Sequence, residues 1–120
     1  MGNALAAKVN TEQIQKEVTS HQVVVYSKPS CGFCTRAKSL LAEEHIDYYQ
    51  VDLNAVEKQD PSGFQSYVNG LVATTKQTSV PQIFICGQFI GGFAELKSLQ
   101  EKGRLHATVD QCPPIDSLHK

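Results

Sequence analysis

The spacing of apolar positions changes period several times along the chain, and each change marks an element. Over residues 11–19, Ile14 and Val18 recur at helical spacing and predict a short N-terminal helix. "HQVVVYS" (21–27) is a near-continuous apolar run of strand length, as expected for a strand covered on both faces. Phe33, Ala37, Leu40 and Leu41 then return at helical spacing, with Arg36, Lys38 and Glu43 directed to water. "IDYYQVD" (46–52) reads as a second strand. Strand, helix and strand in so short a span form a βαβ unit, so the two strands are predicted to be parallel.

Asp60-Pro61 has the chemistry of a helix start, a capping side chain followed by a first-turn proline. Phe64, Tyr67, Val68, Leu71 and Val72 carry that helix onward. Gly63 and Gly70 each weaken it by up to ~1 kcal/mol relative to alanine, so packing must hold it. "VPQIFICGQFIGG" contains two short apolar runs around Gly87-Gln88, predicting a hairpin whose turn has glycine first. A last helix is expected over 95–102, with Leu96 and Leu99 inward and Gly103 ending it. The tail, 104–120, has no strong pattern. The order α-β-α-β-α-β-β-α describes an α/β fold, a four-stranded mixed sheet with helices on both faces. It is read as a single domain over residues 1–120: a core of about 22–103, the N-terminal helix and the tail.

Composition narrows the function. The 120 residues are 41% apolar and 19% charged with a net charge of −1, which points away from nucleic acid and anionic membranes as partners. No apolar run approaches the ~18 residues of a spanning helix. "MGNALAAKVN" lacks the basic start and apolar core of a signal peptide, so a cytoplasmic, reducing setting is expected. Four cysteines there are reactive or metal-bound more often than stapled. Gly2 begins an N-myristoylation pattern, but Ala6 stands where Ser or Thr is required, so a plain terminus is expected. No nicotinamide or flavin fingerprint is present.

The chemistry concentrates in "SKPSCGFC", whose cysteine pair can be a metal clip, a structural disulfide or a working dithiol. With the helix beginning at the pair, Cys31 occupies the N-cap. Its sulfur can then accept the Phe33 and Cys34 amides, the helix dipole adds positive potential, and Lys28 can add a charge. All three favour thiolate over thiol and make Cys31 a good leaving group in exchange. Cys34, one turn inward, is suited to resolving a mixed disulfide on Cys31. So short a loop makes a reducible bond rather than a staple. Zinc needs four ligands, and neither Cys86, alone among strand-like residues, nor Cys112, six residues after His106, makes a half-site. Cys86 is expected to be a small buried hydrophobe and Cys112 a free tail thiol. His21, His45, His106 and His119 show no metal or catalytic spacing, and Tyr48, Tyr49, Tyr67 and Phe84 read as packing residues.

"KPSCGFC" after a buried strand, "TSVP" some 50 residues later and "GGFAEL" opening the last helix resemble a dithiol glutaredoxin of the thioredoxin-fold superfamily, in a CGFC variant. The resemblance covers residues 23–102. It implies a thioredoxin fold and a glutathione-dependent reductase of protein–glutathione mixed disulfides and protein disulfides, with glutathione as cosubstrate and glutathione reductase acting through it. Cys31 matches the nucleophile and Cys34 its resolving partner. Pro81 matches a cis-proline whose neighbour, Val80, pairs its backbone with the cysteinyl unit of glutathione. Lys28 and Gln65 match groups that hold the glycyl carboxylate, and Phe33 stands where a tyrosine is usual. The amides of Phe93 and Ala94, after Gly92, match the anchor of the γ-glutamyl carboxylate, and Glu95 is available to the α-amine. Gly32 replaces the usual proline of the pair, and the loop before Pro81 is about three residues longer than is common. A monomer is implied. Gly32 also opens an alternative, a [2Fe-2S] cluster between two chains with Cys31 of each as ligand and two glutathiones completing the set.

Overall fold

The computed structural model describes residues 8–113. Gly2 and the tail beyond residue 113 lie outside the described residues. In chain order the elements are α1 (Thr11–Ser20), β1 (Val23–Ser27), α2 (Gly32–Glu43), β2 (Tyr49–Asp52), α3 (Leu53–Gln59), α4 (Phe64–Thr75), β3 (Gln82–Ile85), β4 (Gln88–Gly91), α5 (Phe93–Glu101) and α6 (Leu105–Asp110). The sheet order is β2-β1-β3-β4. β1 runs parallel to β2, with Val25 opposite Gln50, and antiparallel to β3, with Val24 opposite Phe84. The four-stranded mixed sheet and the parallel βαβ unit are those expected from the pattern.

The period-two geometry of strands sorts the apolar residues into two cores. Val23, Val25, Ile83 and Ile85 point to one face, under Ala37, Leu40 and Leu41 of α2, Leu96 of α5, and Leu105 and Val109 of α6. Val24, Tyr26 and Phe84 point to the other, under Ile14 and Val18 of α1 and Tyr67 and Leu71 of α4. Every residue of β1 is therefore buried. On the second face the Glu17 carboxylate accepts the phenol O–H groups of Tyr26 (2.7 Å) and Tyr67 (2.6 Å), which ties α1, β1 and α4 together. Burial and the adjacent carboxylate push both phenols well above their ordinary range.

Several expectations need correction. Residues 53–59 form a helix, α3, capped by Asp52, whose Oδ1 accepts the amides of Asn54 (2.9 Å) and Ala55 (3.3 Å). Asp60 does cap a turn through Gly63 N–H (3.1 Å), but residues 61–63 turn before the helix begins at Phe64. Gly70 is demanded by packing: a Cβ there would collide with the Asn10 backbone where α1 starts. The hairpin turn is Cys86-Gly87, both at positive φ (55° and 77°), the pattern of a type I′ turn rather than one with glycine first. Tyr49 is 43% exposed and stacks on His21 instead of packing inward.

The largest correction concerns the distal cysteines. Part of the supposedly patternless tail is α6, and it returns Cys112 to the hairpin turn, where it is disulfide-bonded to Cys86 with Cα atoms 4.9 Å apart. Neither is a free thiol or a plain hydrophobe. The link to α6 comes from the end of α5, where Gly103 at positive φ and the bonds Gly103 N–H to Gln100 C=O and Arg104 N–H to Leu99 C=O form a Schellman cap.

Candidate active site

The site lies where β1 ends. The chain leaves the sheet after Ser27 and turns back through Cys31 N–H to Lys28 C=O (3.2 Å). It enters α2 with Cys31 as an extended N-cap. The Cys31 sulfur accepts the Cys34 amide at 3.1 Å, so it faces the positive end of the helix. The Phe33 amide, expected as a second donor, is not a partner. Cys31 is half-buried and Cys34 fully buried, and both are free thiols. Burial foremost, and then its contact with Cys31, pushes the Cys34 thiol up to about 11. The division into an exposed and a sequestered sulfur follows from helix geometry: Cys34, Ala37 and Leu41 share the inward face, and residue 31 precedes the first turn.

Beside Cys31 runs a groove of about 270 Å³ lined by Phe33, Gln77, Ser79, Val80, Pro81, Gly92, Phe93, Ala94 and Glu95. The Val80–Pro81 bond is cis, and the Val80 carbonyl lies 3.5 Å from the Cys31 sulfur, whose thiol can donate to it. The far wall is the start of α5, where the first-turn amides of Phe93 and Ala94 have no acceptor within the helix. The Glu95 carboxylate accepts Gly92 N–H at 2.7 Å, so one of its oxygens caps its own helix rather than facing outward. Gly91 has φ 122°, and a side chain there would strike Glu95.

Of the residues expected around a ligand, Phe33, Val80, Pro81, Gly92, Phe93, Ala94 and Glu95 come together in this groove, and Lys28 and Gln65 do not. Lys28 is exposed, and Gln65 is exposed with its amide donated to Asn69 (2.9 Å). Phe33, expected inward, is 57% exposed, because the first turn of α2 projects past the edge of the core. Lys38, expected in water, donates to Gln50 Oε1, which also accepts the hydroxyl of buried Ser27 (3.0 Å).

Gln77 and Ser79 were not foreseen, although the long loop before Pro81 was the available signal. The Gln77 amide donates to Ser79 C=O (2.9 Å) and Pro81 C=O (3.4 Å). Gln82 donates to Gln77 C=O (2.7 Å) and Ser79 C=O (3.0 Å). Two amide side chains thus hold the loop that presents Val80.

An accessible sulfur at a helix start, a second sulfur buried one turn behind it and a cis-proline loop across from them, on this sheet, define a thiol–disulfide oxidoreductase of the thioredoxin fold. The family model for glutaredoxin matches residues 23–90, and the chain belongs to the glutaredoxin family. Among curated relatives, mitochondrial glutaredoxin-2 of Bos taurus is 38% identical over 112 residues, covering 93% of this chain and 67% of the relative. Its Homo sapiens counterpart is 36% identical, covering 92% and 63%. The chain thus spans about two thirds of the length of these mammalian proteins. Among solved structures, a buckwheat glutaredoxin–glutathione complex superposes with a TM-score of 0.74 at 29% identity, covering 85% of this chain and 88% of that one. The holo form of glutaredoxin C1 from Populus tremula x tremuloides gives 0.76 at 27%, covering 85% and 87%.

These relatives overturn the cytoplasmic expectation, since the mammalian proteins are mitochondrial by name.

Proposed function

We propose that this chain reduces protein–glutathione mixed disulfides and protein disulfides at the expense of glutathione. The observation that carries the reading is the groove whose Val80 carbonyl lies 3.5 Å from the Cys31 sulfur. One wall offers the Val80 backbone edge and the other the free amides at the start of α5. An extended tripeptide with a carboxylate at each end fits such a groove, its cysteinyl unit pairing with Val80 and its γ-glutamyl carboxylate at the Phe93 and Ala94 amides. The glutathione complex of the buckwheat relative supports this occupant. Gln77 and Ser79 line the groove where Lys28 and Gln65 do not, so they are expected to take the polar contacts of the glycyl end, with the Lys28 charge acting from outside.

In the reaction Cys31 thiolate attacks the glutathione sulfur of a mixed disulfide. The protein thiolate leaves and takes a proton, and glutathione remains on Cys31. A second glutathione thiolate attacks that same glutathione sulfur, releasing Cys31 and forming oxidised glutathione, which a separate reductase recycles. With a protein disulfide as substrate, Cys31 first forms a mixed disulfide with one of its sulfurs. Cys34 then attacks the Cys31 sulfur, the reduced protein leaves, and two glutathiones reopen the 31–34 bond. Turnover of a glutathionylated protein with glutathione and its reductase tests the reading. Efficient reduction driven only by thioredoxin reductase would overturn it.

A second reading has two chains holding a [2Fe-2S] cluster through Cys31 of each and two glutathiones. It is favoured by the open face at Gly32, where a side chain would meet nothing within 4 Å, so a second chain can approach the half-exposed sulfur. Among the described residues no three metal-ligating side chains converge, so one chain would not hold a cluster alone. Anaerobic reconstitution with iron, sulfide and glutathione should give a coloured dimer. A colourless monomer leaves the reductase reading by itself.

A further inference from the structure

Phe33 separates two hollows. On one side is the groove just assigned to glutathione. On the other is a second hollow of about 270 Å³ lined by Gly32, Phe33 and Arg36. The Phe33 ring stands between them, 57% exposed, at 6.0 Å from the Phe93 ring on the first side and 5.4 Å beneath the Arg36 guanidinium on the second. The exposed ring, flanked by a hollow on either side, is open to contact from a bound partner.

Arg36 is exposed, and among the described residues the one ion pair is His106–Glu44, so no carboxylate lies within 4.0 Å of the guanidinium. The charge is held over the Phe33 ring by a cation–π contact and carries its positive potential to within one helical turn of the cysteine pair. Gly32 leaves the floor of the hollow open, with nothing within 4 Å of a Cβ placed there. Aromatic rings and arginines beside an open floor are the residues that anchor protein interfaces.

We propose that the Gly32–Phe33–Arg36 hollow docks the protein part of the substrate, and that the segment it takes is extended and carries a carboxylate close to the disulfide-bonded cysteine. The inference rests on the proposed function and names the substrate class of the same site. Glutathione would occupy one side of Phe33 while the polypeptide to which it is linked leaves over the other, its acidic side chain pairing with Arg36 and its backbone passing over Gly32. The sulfur–sulfur bond then lies at Cys31, between the two.

The test uses short peptides with one glutathionylated cysteine flanked by either Glu or Lys, alongside a low-molecular-weight glutathione mixed disulfide. The chain should turn over the Glu-flanked peptide with a kcat/KM about fivefold above the Lys-flanked one at low salt, as expected for an exposed ion pair. That ratio should shrink as salt rises through the screening range, fall to about one in Arg36→Gln and invert in Arg36→Glu. Turnover of the small disulfide with no flank preference, or a preference that survives Arg36→Gln, would overturn the docking site. Failure to turn over the small disulfide would overturn the functional reading, and the docking site with it.

Discussion

Closure of the Cys31–Cys34 bond should be slow at neutral pH and should accelerate about tenfold per pH unit until close to pH 11. The nucleophile for closure is Cys34, whose sulfur is fully buried and whose thiol is pushed from 9.0 to about 11, by burial first and by Cys31 second. At pH 7 that leaves about one molecule in ten thousand ionised, against about one in a hundred for an ordinary thiol, a hundredfold loss. A more basic thiolate attacks faster, and a Brønsted slope of ~0.45 over two units returns about eightfold. The net effect is closure about tenfold slower than an unburied cysteine at the same distance would give. Burial, the larger cause, persists when glutathione sits on Cys31, so the shift should survive in the reacting species. The assay is a single turnover in which Cys31 is loaded with glutathione and the loss of that adduct is followed by acid quench and mass measurement. A log rate rising with unit slope between pH 6 and 9.5 is expected, and Cys34→Ser should lack the phase. A plateau at or below pH 8 would mean that the thiol titrates there and would refute the burial argument. The same shift has a sign for stability: a raised thiol stabilises the fold below pH 9, and the contribution disappears as pH rises through about 11.

Cys31→Ser should abolish deglutathionylation, whereas Cys34→Ser should keep most of it and lose protein-disulfide reduction. Equal loss in both would contradict the split between an exposed and a buried sulfur. Cys112→Ser opens a loop of 26 residues, which by chain entropy should cost ~3.5 kcal/mol and lower Tm by roughly 10–15 °C, read by calorimetry under non-reducing conditions. An unchanged Tm would mean that the Cys86–Cys112 bond does not hold α6. Gln82→Ala removes both amide bonds to the loop before Pro81 and should cost about 2 kcal/mol while raising KM for glutathione more than it lowers kcat. A drop in kcat alone would place its role elsewhere.

Much of this molecule was legible from period and spacing, because each element expresses a local geometry. β1 is a five-residue apolar run with both faces covered, and Ile14 with Val18, or Leu96 with Leu99, fall on one helical face whatever they pack against. Cys31 and Cys34 follow the same logic, since three residues at a helix start place one sulfur at the cap and the other in the first turn. The misses were also local in part: Asp52 both ends β2 and caps α3, and the helix that follows it went unread.

What the tertiary structure alone decided are the pairings made across long separations. Phe33 has the spacing of a core residue, but only the docked position of α2 puts its first turn beyond the core, with the ring facing outward. Cys86 and Cys112 carry no mark of partnership 26 residues apart; the Schellman turn at Gly103 sends α6 back over the sheet and brings them together. Gln77 became part of the groove because the loop folds against Pro81 and Gln82, a contact that no periodicity encodes. Backbone dihedrals and side-chain period are properties of a few neighbouring residues, so sequence determined the elements and the cysteine chemistry. Which of their faces meet depends on the packing of the whole chain at once, and that determined the groove, the staple and the exposed ring beside Cys31.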